Sequence, residues 1–94
     1  MVADNLGGWE DMSYWVYILR CVDGTLYTGI TADVERRLAA HNSGKGAKYT
    51  RGRSPVEVVF RERCTDKSAA LRRELEIKQM ARMKKLLLIK NTDA

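Results

Sequence analysis

Three residue types are scarce in this chain. Of 94 residues, two are cysteine, one is proline and one is histidine. Cys21 and Cys64 lie far apart, with no further cysteine or histidine at zinc-finger spacing, which argues against a disulfide framework or a structural zinc site. They read as small buried hydrophobes near strand ends. A single proline beside an apolar fraction of 45% speaks for a folded globule and against a disordered chain. No apolar run approaches the ~20 residues that a membrane span requires, so no membrane partner is expected. The N-terminus is acidic and lacks the apolar core of a secretory signal, so the expectation is a cytoplasmic protein.

What the chain does have is positive charge. Seventeen lysines and arginines stand against twelve acidic residues, a formal net charge of +5. Residues 1–13 hold Asp4, Glu10, Asp11 and the pair Gly7-Gly8 without a basic residue, and are expected to be a flexible leader. Residues 14–91 suffice for one domain with a small core. From Arg36 to Arg53 the imbalance is complete: Arg36, Arg37, Lys45, Lys48, Arg51 and Arg53 occur with no acidic residue among them. Much of this run is the glycine-bearing loop SGKGAKYTRGRSP. Such a loop is either merely solvated or tracks a phosphate backbone, the source of most nonspecific nucleic-acid affinity.

The most informative stretch is Trp15 to Asn42. Trp15 to Cys21 and Thr25 to Ile30 are rich in aromatic and β-branched residues and flank Asp23-Gly24, which predicts a hairpin. A two-residue turn would pair Val22 with Thr25 and send Tyr17 and Tyr27 to opposite faces. A three-residue loop with a left-handed Gly24 would instead pair Cys21 with Thr25, Tyr17 with Gly29 and Leu19 with Tyr27, leaving both tyrosines on one face. The second register is the one expected. A helix then starts at Asp33, a suitable N-cap, and ends near Asn42 before Ser43-Gly44. Val34, Leu38 and His41 form its inward stripe. Arg37 borders that stripe and shares a face with His41, whereas Arg36 points elsewhere.

Downstream, Val56 to Glu62 reads as a third strand, with Val56, Val58 and Phe60 on one side. Thr65 or Asp66 caps a helix running to about Gln79, with Leu71 and Leu75 as its apolar line. Glu74 sits at the edge of the inward face, where a carboxylate needs a partner, either Arg37 or a cation. Ala81 to Lys90 is a further short helix with Met83, Leu86 and Leu87 inward. Its cations complement the helix dipole, with phosphate contact as their other use.

Two strands, the second carrying Tyr27-Thr28-Gly29, and then a helix with Arg37 eight residues after that glycine resemble the GIY-YIG nuclease family. The first motif stands here as Val16-Tyr17-Ile18. The likeness continues through Leu38, His41 and the segment ALRRELEIK at 70–78, where Glu74 falls on the family's metal-binding glutamate. It extends from residue 14 to about residue 90 and is greatest to the small stand-alone bacterial branch (YhbQ-like). Two departures stand out: the first motif keeps its tyrosine but lacks the glycine, and Thr28 replaces an isoleucine.

The resemblance implies an α/β (α+β) fold, with a small three-stranded, mainly antiparallel sheet flanked by helices. It implies a metal-dependent endonuclease that hydrolyses phosphodiester bonds in DNA, with Tyr17, Tyr27, Arg37, His41 and Glu74 as catalytic residues. Glu74 would hold Mg²⁺ or Mn²⁺, a hard cation that uses one or two carboxylates and keeps several waters. No small-molecule cofactor is expected. Gly29 would be structural, admitting phosphate or a tyrosine ring close to the backbone. Lys45, Lys48, Arg51 and Arg53 would bind the nucleic acid. Tyr17 is the base that the resemblance points to, although a free tyrosine ionises near ~10. His41 competes for that role, or simply holds a backbone group or tyrosine hydroxyl. The other class of answer is a nucleic-acid-binding module that keeps the fold and cuts slowly or not at all. The pathway, whether DNA repair, recombination or defence, stays open.

Overall fold

The turn at Asp23-Gly24 sets the register of the whole sheet. In the computed structural model, which describes residues 13–92, Cys21 N–H donates to the Thr25 carbonyl and Gly24 N–H to the Cys21 carbonyl, both at 2.9 Å. Asp23 Oδ1 accepts from the Thr25 backbone N–H at 3.1 Å and from its hydroxyl at 2.7 Å. Gly24 has φ +86°, a left-handed conformation that glycine adopts without steric cost. This is the expected three-residue loop. It pairs Tyr17 with Gly29 and Leu19 with Tyr27 across β1 (Tyr14–Arg20) and β2 (Leu26–Thr31). The expected leader, Trp9 included, lies outside the described residues except for Ser13, whose hydroxyl accepts from Arg63 at 2.9 Å.

The fold is α+β. β3 (Glu57–Cys64) pairs antiparallel with the other side of β1, giving the order β2-β1-β3 with β1 in the centre. The helices are α1 (Val34–Asn42), α2 (Lys67–Lys78) and α3 (Arg82–Thr92). Asp33 caps α1 by accepting from Arg36 N–H, and Asp66 caps α2 by accepting from Ala69 N–H. At its other end α1 is tied to β3 by Asn42: Oδ1 accepts from Val56 N–H at 2.7 Å and Nδ2 donates to Val56 O at 3.2 Å. Among the described residues no helix is long and apolar enough to cross a membrane.

Each face of the sheet has its own core. Val16, Ile18 and Phe60 pack with Ala70 and Ile77 of α2, joined by Leu88 and Ile89 of α3. Tyr17, Leu19, Cys21 and Val56 pack on the opposite side with Tyr27, Val58 and Leu38 of α1. The expected alignment of Val56, Val58 and Phe60 on one side does not hold. Ile18 pairs with Phe60 but Leu19 with Val58, so Val59 is an extra residue, and the bulge moves Phe60 to the α2 side. Simple alternation cannot anticipate a bulge.

The inward faces of α2 and α3 also differ from expectation. Leu71 and Leu75 are exposed, Leu75 at 58%, whereas Ala70 and Ile77 are fully buried. The inward line of α2 thus runs Ala70, Glu74, Ile77, with Arg73 beside it. Charged residues on that line invert the apolar pattern. Arg73 is paired there with Glu62 at 3.2 Å and with Glu76. In α3, Met83 and Leu87 face outward while Leu88 and Ile89 pack on the core. Ile77→Ala should therefore cost about 2–5 kcal/mol, whereas an exposed-face change such as Leu75→Ala should stay within about 1 kcal/mol. Chemical denaturation measures both, and equal losses would contradict these helix faces.

Candidate active site

β1 delivers Tyr17 from the centre of the sheet toward α1, and the hairpin register sets Tyr27 on the same face. Tyr17 is 1% exposed and His41 is fully buried, so bulk solvent does not satisfy their polar atoms in the resting site. They satisfy one another: Tyr17 Oη lies 3.1 Å from His41 Nε2. The other ring nitrogen, Nδ1, lies 2.7 Å from Thr50 Oγ1, and the Thr50 hydroxyl donates to the Ala47 carbonyl at 2.9 Å. Since the threonine has one proton and gives it to Ala47, its oxygen must accept from Nδ1–H. Nε2 is then bare and accepts from the Tyr17 hydroxyl. A directed chain results, from Tyr17 through His41 and Thr50 to the backbone.

Two glycines make room for this chain. A Cβ on Gly29 would stand 2.7 Å from the Tyr17 hydroxyl oxygen and 3.1 Å from the Tyr27 ring. A Cβ on Gly46 would overlap the His41 ring and come 2.7 Å from its Cα. Both positions therefore exclude any side chain while the rings hold these places. Tyr27 completes an aromatic cluster, its ring centroid 6.4 Å from Tyr17 and 5.3 Å from His41.

The electrostatics divide the work between the two buried groups. Burial raises the Tyr17 phenol above its usual value, and nearby Tyr27 and Glu74 add to this, while a hydrogen bond and charge from Arg37 oppose it. Tyr17 is thus a phenol in the resting site. His41 is held below its ordinary value by burial and then by the Arg37 charge, so it is neutral in the resting site. Arg37 is half-buried, and Arg36 is exposed, yet both line a cleft of about 310 Å³ with Thr31, Ala32, Asp33 and Ala40.

Glu74 arrives from α2 and acts on Tyr17 electrostatically. Its side chain is 18% exposed and its carboxylate pairs with Lys78 at 3.2 Å, rather than with Arg37. Among the described residues no cluster of three or more His, Cys, Asp or Glu side chains could cage a metal ion. A lone carboxylate still fits a magnesium-type cation, which takes most of its ligands from water and substrate oxygens. Lys78 is half exposed on a flexible stem and can swing aside.

The basic loop splits in two. Lys45, Lys48 and Arg51 are exposed, with no ion-pair partner among the described residues. Arg53 is engaged: it donates to Asp23 at 3.0 Å and Thr25 at 3.2 Å, and its guanidinium lies 4.4 Å from the Tyr49 ring centre. It pins the loop to the hairpin. Tyr49 in turn stacks on Tyr27 at 5.8 Å. Thr50, Gly46 and Tyr49 were not legible as site residues, because nothing in their spacing sets them apart from ordinary loop.

The buried neutral histidine makes stability depend on pH. The folded value of His41 lies below the unfolded value of about 6.5, so the unfolded chain takes up the proton first. The histidine's contribution should be complete above pH 6.5 and diminish as pH falls toward the folded value. Melting temperature measured between pH 7 and pH 5 should fall more steeply in the native protein than in His41→Gln; parallel curves would contradict this.

The GIY-YIG catalytic domain family matches residues 13–86. A UPF0213 protein of Natronomonas pharaonis is 59% identical over 76 residues, 81% of this chain and 89% of that protein. One of Desulfotalea psychrophila is 51% identical over 82 residues, 86% and 74% of the two chains. The solution structure of a UPF0213 protein from Bacillus halodurans shares 51% identity, covers 84% of each chain and has a TM-score of 0.56. That of a protein from E. faecalis shares 38% identity over 87% and 88% of the chains, with a TM-score of 0.58. By this domain match and these likenesses the chain belongs to the GIY-YIG family, alongside the small UPF0213 proteins.

Proposed function

We propose that this protein is a divalent-metal-dependent endonuclease that hydrolyses phosphodiester bonds in DNA. The observation that carries this reading is the hydrogen-bond chain from Tyr17 to neutral His41, with Arg37 against the same phenol. A buried phenol with raised pKa is a poor base by itself. Coupled to an imidazole that can take its proton, it becomes a relay.

In that relay a water molecule brought to the Tyr17 oxygen with the bound substrate loses a proton to it while the Tyr17 proton passes to His41 Nε2. The hydroxide forms a bond to phosphorus, and the bond from phosphorus to the 3′ oxygen breaks. The leaving oxygen takes a proton from solvent. The imidazolium left behind sits near the Arg37 charge, which favours return of its proton and restores the resting state. Arg37 also grips a nonbridging oxygen, its fork offsetting charge that gathers in the transition state. Tyr27 orients the attacking water beside Tyr17. Lys45, Lys48 and Arg51 hold flanking phosphates. Glu74 would hold Mg²⁺ or Mn²⁺, which when bound supplies Lewis-acid stabilisation of the phosphate and the leaving 3′ oxygen.

Cleavage should fall by about 100-fold or more in Tyr17→Phe and in His41→Ala, which each break the relay, and in Arg37→Ala. Arg36→Ala should lose much less. A gel assay on labelled DNA structures with Mg²⁺ reads all four, and full activity in Tyr17→Phe would sink the relay.

A second reading, a binding module that cuts slowly, draws on the Glu74–Lys78 ion pair, which competes with any cation. Lys78→Ala separates the two. If Glu74 is a metal ligand, the variant should bind Mn²⁺ more tightly by calorimetry and reach half-maximal cleavage at lower Mn²⁺, and Glu74→Ala should abolish both. Unchanged Mn²⁺ binding in both variants would favour the binding module.

A further inference from the structure

Where the hairpin, the basic loop and α3 meet, a cleft of about 190 Å³ opens, lined by Thr25, Leu26, Tyr49, Arg82 and Lys85. β2 is an outer strand, so the cleft lies at the sheet edge beside the turn. No carboxylate lines it. The acidic residue of the turn, Asp23, is already held by Arg53 and Thr25. Arg82 is anchored through Nη2 to the Gly24 carbonyl at 3.2 Å, which fixes the guanidinium and leaves its other N–H groups to donate elsewhere. Lys85, three residues on and therefore on the same helix face, is half-buried and has no ion-pair partner among the described residues. Two cations converge on one concave wall with nothing to neutralise them.

The opposite wall links the cleft to the active site. Tyr49, 43% exposed, stacks on Tyr27 with rings 28° apart, and Tyr27 lies against His41. A ladder of rings thus runs from Tyr17 through Tyr27 to Tyr49. Arg53 also lies over the Tyr49 ring, 4.4 Å from its centroid, and Tyr49 lines the cleft.

We infer that this cleft is a second phosphate subsite, holding a phosphodiester of the bound strand a few nucleotides from the one at Tyr17 and Arg37. Arg82 and Lys85 take its nonbridging oxygens, and Tyr49 borders the adjoining sugar or base. α3 thereby becomes part of the nucleic-acid surface, meeting the basic loop at the hairpin. Two cations, one a fixed fork and one a mobile ammonium, beside an aromatic ring suit a nucleic-acid backbone better than an isolated carboxylate. The inference rests on the nuclease reading for the neighbouring phosphate.

Binding can be tested without cleavage. In a Glu74→Gln background with chelator, fluorescence anisotropy on short labelled DNA, single-stranded and duplex, gives affinity as a function of salt. Lys85→Gln and Arg82→Gln should each weaken binding for all sequences alike and lower the slope of log affinity against log salt by about one. Arg82→Lys should retain most of the affinity, and Lys67→Ala, on a different helix, should change nothing. Because Arg82 also braces the hairpin, the Lys85 variant is decisive if Arg82→Gln melts early. An unchanged slope in Lys85→Gln, with the parent binding well, overturns the subsite and leaves the proposed activity standing. A lowered slope with no cleavage by the native protein keeps the subsite and removes the nuclease. No binding by the parent overturns both, and preference for a polyglutamate peptide over DNA overturns the subsite.

Discussion

The hydrogen bond between Tyr17 and His41 is the constraint on which the site depends. Neither side chain is open to bulk solvent, and an unpaired buried donor or acceptor costs about 1–3 kcal/mol, more than a paired one contributes. Each ring must therefore stay where the other can meet it. That requirement reaches outward through Thr50 to the short 3₁₀ turn at Lys48–Thr50, which gives the basic loop a fixed base although its tip is polar and glycine-bearing. It reaches inward to Gly29 and Gly46, which have no room for a side chain. Among the described residues no buried side-chain nitrogen or oxygen lacks a partner. The same contacts that stabilise the fold set the tautomer of the histidine, so structure and chemistry are not separable here.

Charge is distributed with a similar logic. On the α2 side of the sheet, Glu62, Glu74 and Glu76 are matched by Arg73 and Lys78. On the α1 side Glu35 takes Arg61, and at the turn Asp23 takes Arg53. Among the described residues, the cations left without an ion pair include Lys45, Lys48 and Arg51 of the loop and Arg82 and Lys85 of α3. Exposed ion pairs contribute little to stability, so these pairings matter more for where they leave positive charge uncompensated than for what they add.

Thr28, which stands where the motif has an isoleucine, falls on the far side of the sheet from the tyrosines. Val16 and Ile18 point toward α2, as strand alternation from Tyr17 demands, and both are fully buried there. Thr28 alternates in the same way with Tyr27 and Gly29 and is buried too. The near face thus carries Tyr17, Tyr27 and Gly29, and the far face Val16, Ile18 and Thr28. Exchange on the far face is a matter of volume and polarity, whereas the near face must hold two rings at hydrogen-bonding distance.

Much of this was legible in the chain. The hairpin register follows from Asp23-Gly24 and a left-handed glycine, and it carries Tyr17, Tyr27 and Gly29 with it, because pairing across a short turn is a local matter. The α1 stripe of Val34, Leu38 and His41 and the Asp33 cap are likewise local. The bulge at Val59 was not legible, nor were the inward faces of α2 and α3, since charged residues stand on the buried line of α2 and apolar ones on its exposed face. Thr50 and Gly46 became site residues only through contact with His41, nine and five positions away around a loop. The sequence by itself determined the elements, the tyrosine face and the sign of the charge, all of which arise from neighbours along the chain. Tertiary structure alone decided the direction of the proton chain, the partner of Glu74 and the cleft at Tyr49, because each depends on which distant groups exclude water together.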